Sequence, residues 1–107
     1  MAVLVDQERL ALVFKALGDE TRLRLVAELA LRGEVTCGWF ADLCDCSPSA
    51  LTYHQHILDK AGLITVRRAG QYRYLVLQRE TLEELLPGFL ATLTERQTVG
   101  AGDGSIH

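Results

Sequence analysis

The stretch 47–79, SPSALTYHQHILDKAGLITVRRAGQYRYLVLQR, permits few folds. Ser47 before Pro48 is a helix start: the hydroxyl can accept a free backbone N–H, and proline in the first turn gives up a donor that would be unpaired there anyway. Leu51, Ile57 and Leu58 then mark one packed side, and Ala61-Gly62 breaks the run. LITVRR and QYRYLVLQ alternate their side chains on either side of Ala69-Gly70, the pattern of a two-stranded hairpin. The spacing therefore predicts a helix over 48–60 and a hairpin over about 63–78.

The same stretch is the basic part of an acidic chain. Lys60, Arg67, Arg68, Arg73 and Arg79 stand against Asp59 alone, a balance of +4 in a chain whose net charge is −3. A cationic island on an anionic body implies one surface that meets phosphate while the rest avoids it. The acidic pI of about 5.5 argues against indiscriminate coating of nucleic acid.

A chain of 107 residues has room for one domain, expected here over 1–98 with a flexible tail at 99–107. Such a chain buries less than about 70% of the surface its unfolded form exposes, so leftover apolar surface favours a dimer. With 49% apolar residues, disorder is excluded as the general state. The opening MAVLVDQER lacks a basic signal-peptide region, and no run approaches the roughly 18 apolar residues that span a bilayer. A soluble cytoplasmic protein with reduced thiols is expected, with no membrane partner. No nucleophile–base pair, phosphate-binding glycine loop or H-E-x-x-H is present, which argues against an enzyme.

Upstream, helices are expected at about 6–17, 19–32 and 38–44. In the first, Leu10, Val13, Phe14 and Leu17 form one apolar face, and Gly18 ends it. Asp19 caps the second, whose Arg22 and Arg24 are expected on its polar side. Glu34–Cys37 reads as a brief extended piece, and Trp39, Phe40, Leu43 and Cys44 are expected to face inward from the third helix. A last helix over about 80–96 contains Pro87, which removes a ladder bond and should kink or break it. The fold class is mainly α with a small β-hairpin, in the order of a helix-turn-helix followed by a wing.

In that arrangement the second helix of the pair enters the major groove. Positions on 48–60 that cannot be core are then candidates to touch DNA: Ser49, Ala50, Thr52, Tyr53 and His56. Hydroxyls can bond bases or phosphates, alanine can meet a thymine methyl, and tyrosine can bond phosphate. The hairpin adds Arg67, Arg68, Gln71 and Arg73 for backbone or minor-groove contact. Arginines that merely solvate an exposed hairpin are the plainer alternative, weakened by their coincidence with a capped, outward-polar helix.

The segments F14-K-A-L-G-D-E-T-R-L-R-L25, S47-P-S-A-L-T-Y-H-Q-H-I-L58, A61-G-L-I64 and R67-R-A-G-Q-Y-R-Y-L75 together resemble the ArsR/SmtB family of winged helix-turn-helix repressors, over roughly residues 10–80. The resemblance implies a homodimer formed by the first and last helices, binding double-stranded operator DNA and released by a metal-ion or small-molecule effector. Gln55 departs from the family, which usually has an apolar residue there.

Metal-sensing relatives place Asp, His and Glu ligands along the last helix, or a C-x-C pair at the start of the third. Residues 80–96 hold no histidine, and Thr36-Cys37-Gly38 offers one cysteine, so neither site carries over. Cys44 and Cys46, with Cys37 as a third ligand, are the remaining candidates for a soft ion such as Zn, Cu(I) or As(III). Inert thiols in the core are the favoured reading of Cys44 and Cys46, and redox sensing through a Cys44–Cys46 or Cys37-containing disulfide is a further alternative. His54 and His56 point to different faces, and His54 is expected to be structural or close to DNA. Asp6, Glu8, Glu83 and Glu84 are read as a solvated helix face, and Asp103 with His107 is one further candidate ligand pair. Against the DNA-binding regulator stands one other class, a winged-helix module for protein–protein assembly.

Overall fold

Side-chain caps set the boundaries of most helices in the computed structural model, which describes residues 6–102 and their side chains through Glu95. Asp6 accepts from Glu8 N at 3.0 Å and opens α1 (Gln7–Leu17). Asp19 accepts from Arg22 N at 3.0 Å and opens α2 (Glu20–Arg32), which Gly33 ends at φ 87°. After β1 (Glu34–Thr36), Thr36 caps α3 (Cys37–Cys44) through Trp39 N at 3.1 Å. Asp45 ends α3 in the left-handed region at φ 56°, a conformation that aspartate tolerates better than most residues. Ser47 then caps α4 (Pro48–Lys60) by accepting from Ala50 N at 3.1 Å.

The hairpin consists of β2 (Ile64–Ala69) and β3 (Tyr72–Leu77), with Gly70 at φ 61° in its turn. Residues 34–36 are a third strand rather than a loose extended piece: the sheet is antiparallel in the order β1-β3-β2. Register places Val35 and Val66 on either side of Leu75, and Arg68 opposite Arg73. Val13, Leu25, Leu29, Phe40, Leu58 and Leu75 are fully buried, so α1 to α4 and the inner sheet face share one core.

Three expectations about facing fail. Phe14 is 55% exposed in the single chain, because α1 packs through Val13, Ala16 and Leu17 instead. Trp39 is also exposed, lying under the Arg32 guanidinium at 4.5 Å, while Phe40 takes the core position. Arg22, assigned to a polar side, is buried.

Pro87 breaks the last helix outright. It becomes α5 (Arg79–Leu85) and α6 (Phe89–Gly102), separated at Gly88 with φ 85°. Since α6 runs past residue 96, residues 99–102 are helical rather than a tail; 103–107, with Asp103 and His107, lie outside the described residues, as do 1–5. No described helix is long and apolar enough to cross a membrane.

Candidate nucleic-acid interface

The amphipathic spacing of α4 buries Leu51 and Leu58 and leaves Ser49, Thr52, Tyr53 and His56 exposed, with Ala50 half-buried. Tyr53 is 61% exposed, its ring meeting His54 edge-on at 5.6 Å. Thr52 Oγ1 donates to Pro48 O at 2.9 Å, so its hydroxyl proton is already committed. What Thr52 offers outward is therefore an acceptor and a methyl group. Ser49 lies 3.4 Å from the Ser47 hydroxyl, beside the helix N-terminus, where backbone N–H groups favour an anion.

The four wing candidates separate by strand alternation. Arg68 and Arg73 face each other across the ladder on the side of Val66 and Leu75, the side that packs inward lower down. Among the described residues neither makes an ion pair. Their charges act on the Cys37 thiol, and Cys37 in turn makes a weak 4.0 Å hydrogen bond to Gln55 Oε1 on α4. Strand alternation puts the two arginines on the sheet face of Ile64, Leu75 and Leu77, which share the core with Leu51 and Leu58 of α4. Gln55, the departure from the resemblance, is thus a polar partner for a buried thiol.

Arg67 lies on the other sheet face. Its Nη2 donates to both Glu34 oxygens at 3.0 and 2.9 Å, and its guanidinium stacks on Tyr74 at 4.3 Å. Gln71 is exposed at the turn. An exposed pair of this kind contributes about 0–1 kcal/mol, so phosphate can compete for Arg67, but Glu34 offsets its charge.

Sequence reasoning missed the linkage behind α4. Arg22 Nε donates to Ala16 O at 2.7 Å, Nη2 to Lys15 O at 3.3 Å, and Nη1 to His54 Nδ1 at 2.9 Å. The Asp19-to-Arg22 spacing was visible as a cap, but the burial of the arginine against another helix was not.

The cysteines depart from the expected inert, reduced core thiols. Cys44 and Cys46 form a disulfide, Cα atoms 5.3 Å apart, and both are half-buried. The left-handed Asp45 between them folds Cys46 back, with Cys46 N donating to Ala41 O at 3.0 Å. Cys37 alone of the three is a buried free thiol, and burial pushes its pKa above the ordinary 9.0 against the opposing pull of Arg73 and Arg68. A three-cysteine ion site is not assembled, and among the described residues no group of three or more His, Cys, Asp or Glu is positioned to hold a metal.

Comparison with known proteins agrees with this geometry. Residues 17–67 match the model of a helix-turn-helix domain. The chain is 37% identical over 89 residues to the HTH-type transcriptional regulator YceK of Bacillus subtilis (strain 168), covering 82% of this chain and 89% of that one. It is 34% identical to the arsenical resistance operon repressor of the same organism, over 84% of each. Among solved structures, an ArsR family transcriptional regulator superposes with a TM-score of 0.65 at 28% identity, over 91% of this chain and 95% of that one. Capped second helix, hairpin wing and these likenesses converge: the chain belongs to the ArsR family of winged helix-turn-helix transcriptional regulators.

Proposed function

We propose that this regulator binds operator DNA as a cytoplasmic homodimer and represses transcription, with α4 in the major groove and the β2–β3 wing on the flanking backbone. The observation that carries the reading is the row of exposed Ser49, Thr52, Tyr53 and His56 on a serine-capped helix, followed in the chain by a wing whose Arg68 and Arg73 make no ion pair among the described residues. Phosphate contacts supply affinity and the α4 row supplies base preference. Ala50 and Gln71 are secondary contacts, and Arg67 contributes after exchanging Glu34 for phosphate.

Dimerisation is supported by an apolar groove of about 760 Å³ between α1 and the α5–α6 break, lined by Phe14, Leu17, Leu85, Leu86, Pro87 and Phe89. Covering it with a second copy would remove the exposed Phe14 ring from water. Two recognition helices would then meet successive major grooves about 34 Å apart.

The test is a gel shift with the duplex upstream of the protein's own gene, repeated over a salt series. Binding should weaken linearly in log K against log salt. Indifference to that duplex at low salt would favour the protein-assembly role instead.

A further inference from the structure

The geometry points to the Cys44–Cys46 pair as a thiol–disulfide site that controls operator binding from within the turn of the helix-turn-helix. The inference rests on the operator-binding reading above.

Four observations place the pair where such a site would act. Asp45, left-handed at φ 56°, bends the chain so that the Cα atoms of its two neighbours lie 5.3 Å apart, inside the span a disulfide bridges. Both cysteines are half-buried, and so more open to small reagents than the buried Cys37. Cys44 also lines a cleft of about 430 Å³ between α2 and α6, whose wall includes Glu20, Arg24 and Leu93. Cys46 immediately precedes Ser47, the residue whose hydroxyl caps α4.

The exchange uses a low-molecular-weight disulfide as oxidant. The Cys44 thiolate attacks one sulfur of that reagent, forming a mixed disulfide and releasing one small thiolate. The Cys46 thiolate then attacks Cys44 Sγ, the mixed bond breaks, and the second small thiolate leaves. The protein gives up two electrons and two protons, and the reagent becomes two thiols. Excess small thiol reverses both steps.

The closed bond holds Asp45 in a backbone region it would otherwise leave more readily, and with it the entry of α4 relative to α3. Opening the bond leaves the turn to the backbone bonds Cys46 N to Ala41 O and Asp45 N to Asp42 O. The closed form presents the recognition helix in a narrower set of orientations and binds operator more tightly, because less freedom is lost on binding.

The experiment treats the full chain with oxidised glutathione or with excess reduced glutathione, and reads closure as the loss of two hydrogens in the intact mass. The same samples are titrated against the upstream duplex. The closed form is expected to bind about threefold or more tighter than the open form. Cys44→Ser and Cys46→Ser should bind like the open form under both treatments, and Cys37→Ala should still respond. Failure of the two-hydrogen loss, or an equal or weaker affinity in the closed form, overturns the proposal. If the bond opens and closes normally while every form ignores DNA, the operator-binding reading falls, and this control falls with it.

Discussion

Arg22 Nη1 sits 2.9 Å from Nδ1 of His54, joining α2 to the recognition helix across 32 residues of sequence. A guanidinium can only donate, so His54 Nδ1 must be the acceptor and its proton sits on Nε2. The same arginine holds the last carbonyls of α1, at Lys15 and Ala16. One buried cation therefore ties the end of α1 to the middle of α4, and the Asp19 carboxylate lies 3.9 Å from the same imidazole nitrogen.

Removing the acceptor should expose this tie. His54→Leu leaves a buried guanidinium N–H without a partner and should cost about 1–3 kcal/mol in urea unfolding. His54→Asn can return an oxygen near the place of Nδ1 and should recover most of that loss. His54→Gln reaches too far and should not. Equal stability of the leucine and asparagine variants would show that the bond contributes nothing.

The wing arginines should differ from one another. Arg68→Ala or Arg73→Ala is expected to weaken binding to all sequences alike and lower the salt slope by about 0.9 per lost phosphate contact. Arg67→Ala should have a smaller effect, because Glu34 already engages that guanidinium. Fluorescence anisotropy across a salt series would rank them.

Substitutions on α4 should act on preference rather than on overall strength. Thr52→Ala or His56→Ala is expected to blur discrimination at particular base pairs by about 1–3 kcal/mol each. Competition among single-base operator variants measures this. A uniform loss across all variants would reassign those residues to the phosphate backbone.

Cys37 gives the chain an alkaline limit. Its pKa in the folded protein is raised above the ordinary 9.0 by burial, so folding favours the neutral thiol. That contribution is complete below about pH 9, the unfolded value, and is lost as pH rises through the higher folded value. Stability should therefore fall more steeply above pH 9 in the native chain than in Cys37→Val. Iodoacetamide should modify Cys37 slowly until denaturant is added.

Phe14→Glu places a charge on the apolar groove and should shift the protein from dimer to monomer in light scattering. The helical content by circular dichroism should be unchanged, since Phe14 is more than half exposed in the single chain.

The local signals in the sequence determined much of this protein. Ser47-Pro48, Asp19, Gly33 and Gly70 act through their own backbone neighbours, and the periodicity of α4 divides Leu51 and Leu58 from Thr52, Tyr53 and His56. These features need no distant partner, so element order, the wing and the outward row of α4 were legible from residues alone. Tertiary structure decided what depends on residues far apart in sequence. It recruited Glu34–Thr36 into the sheet beside β3, buried Arg22 against His54, committed Arg67 to Glu34, and left Phe14 and Trp39 outside. The reason is that a side chain's apolar or charged character states what it can satisfy, whereas the packing of other helices and strands decides which partner comes within reach.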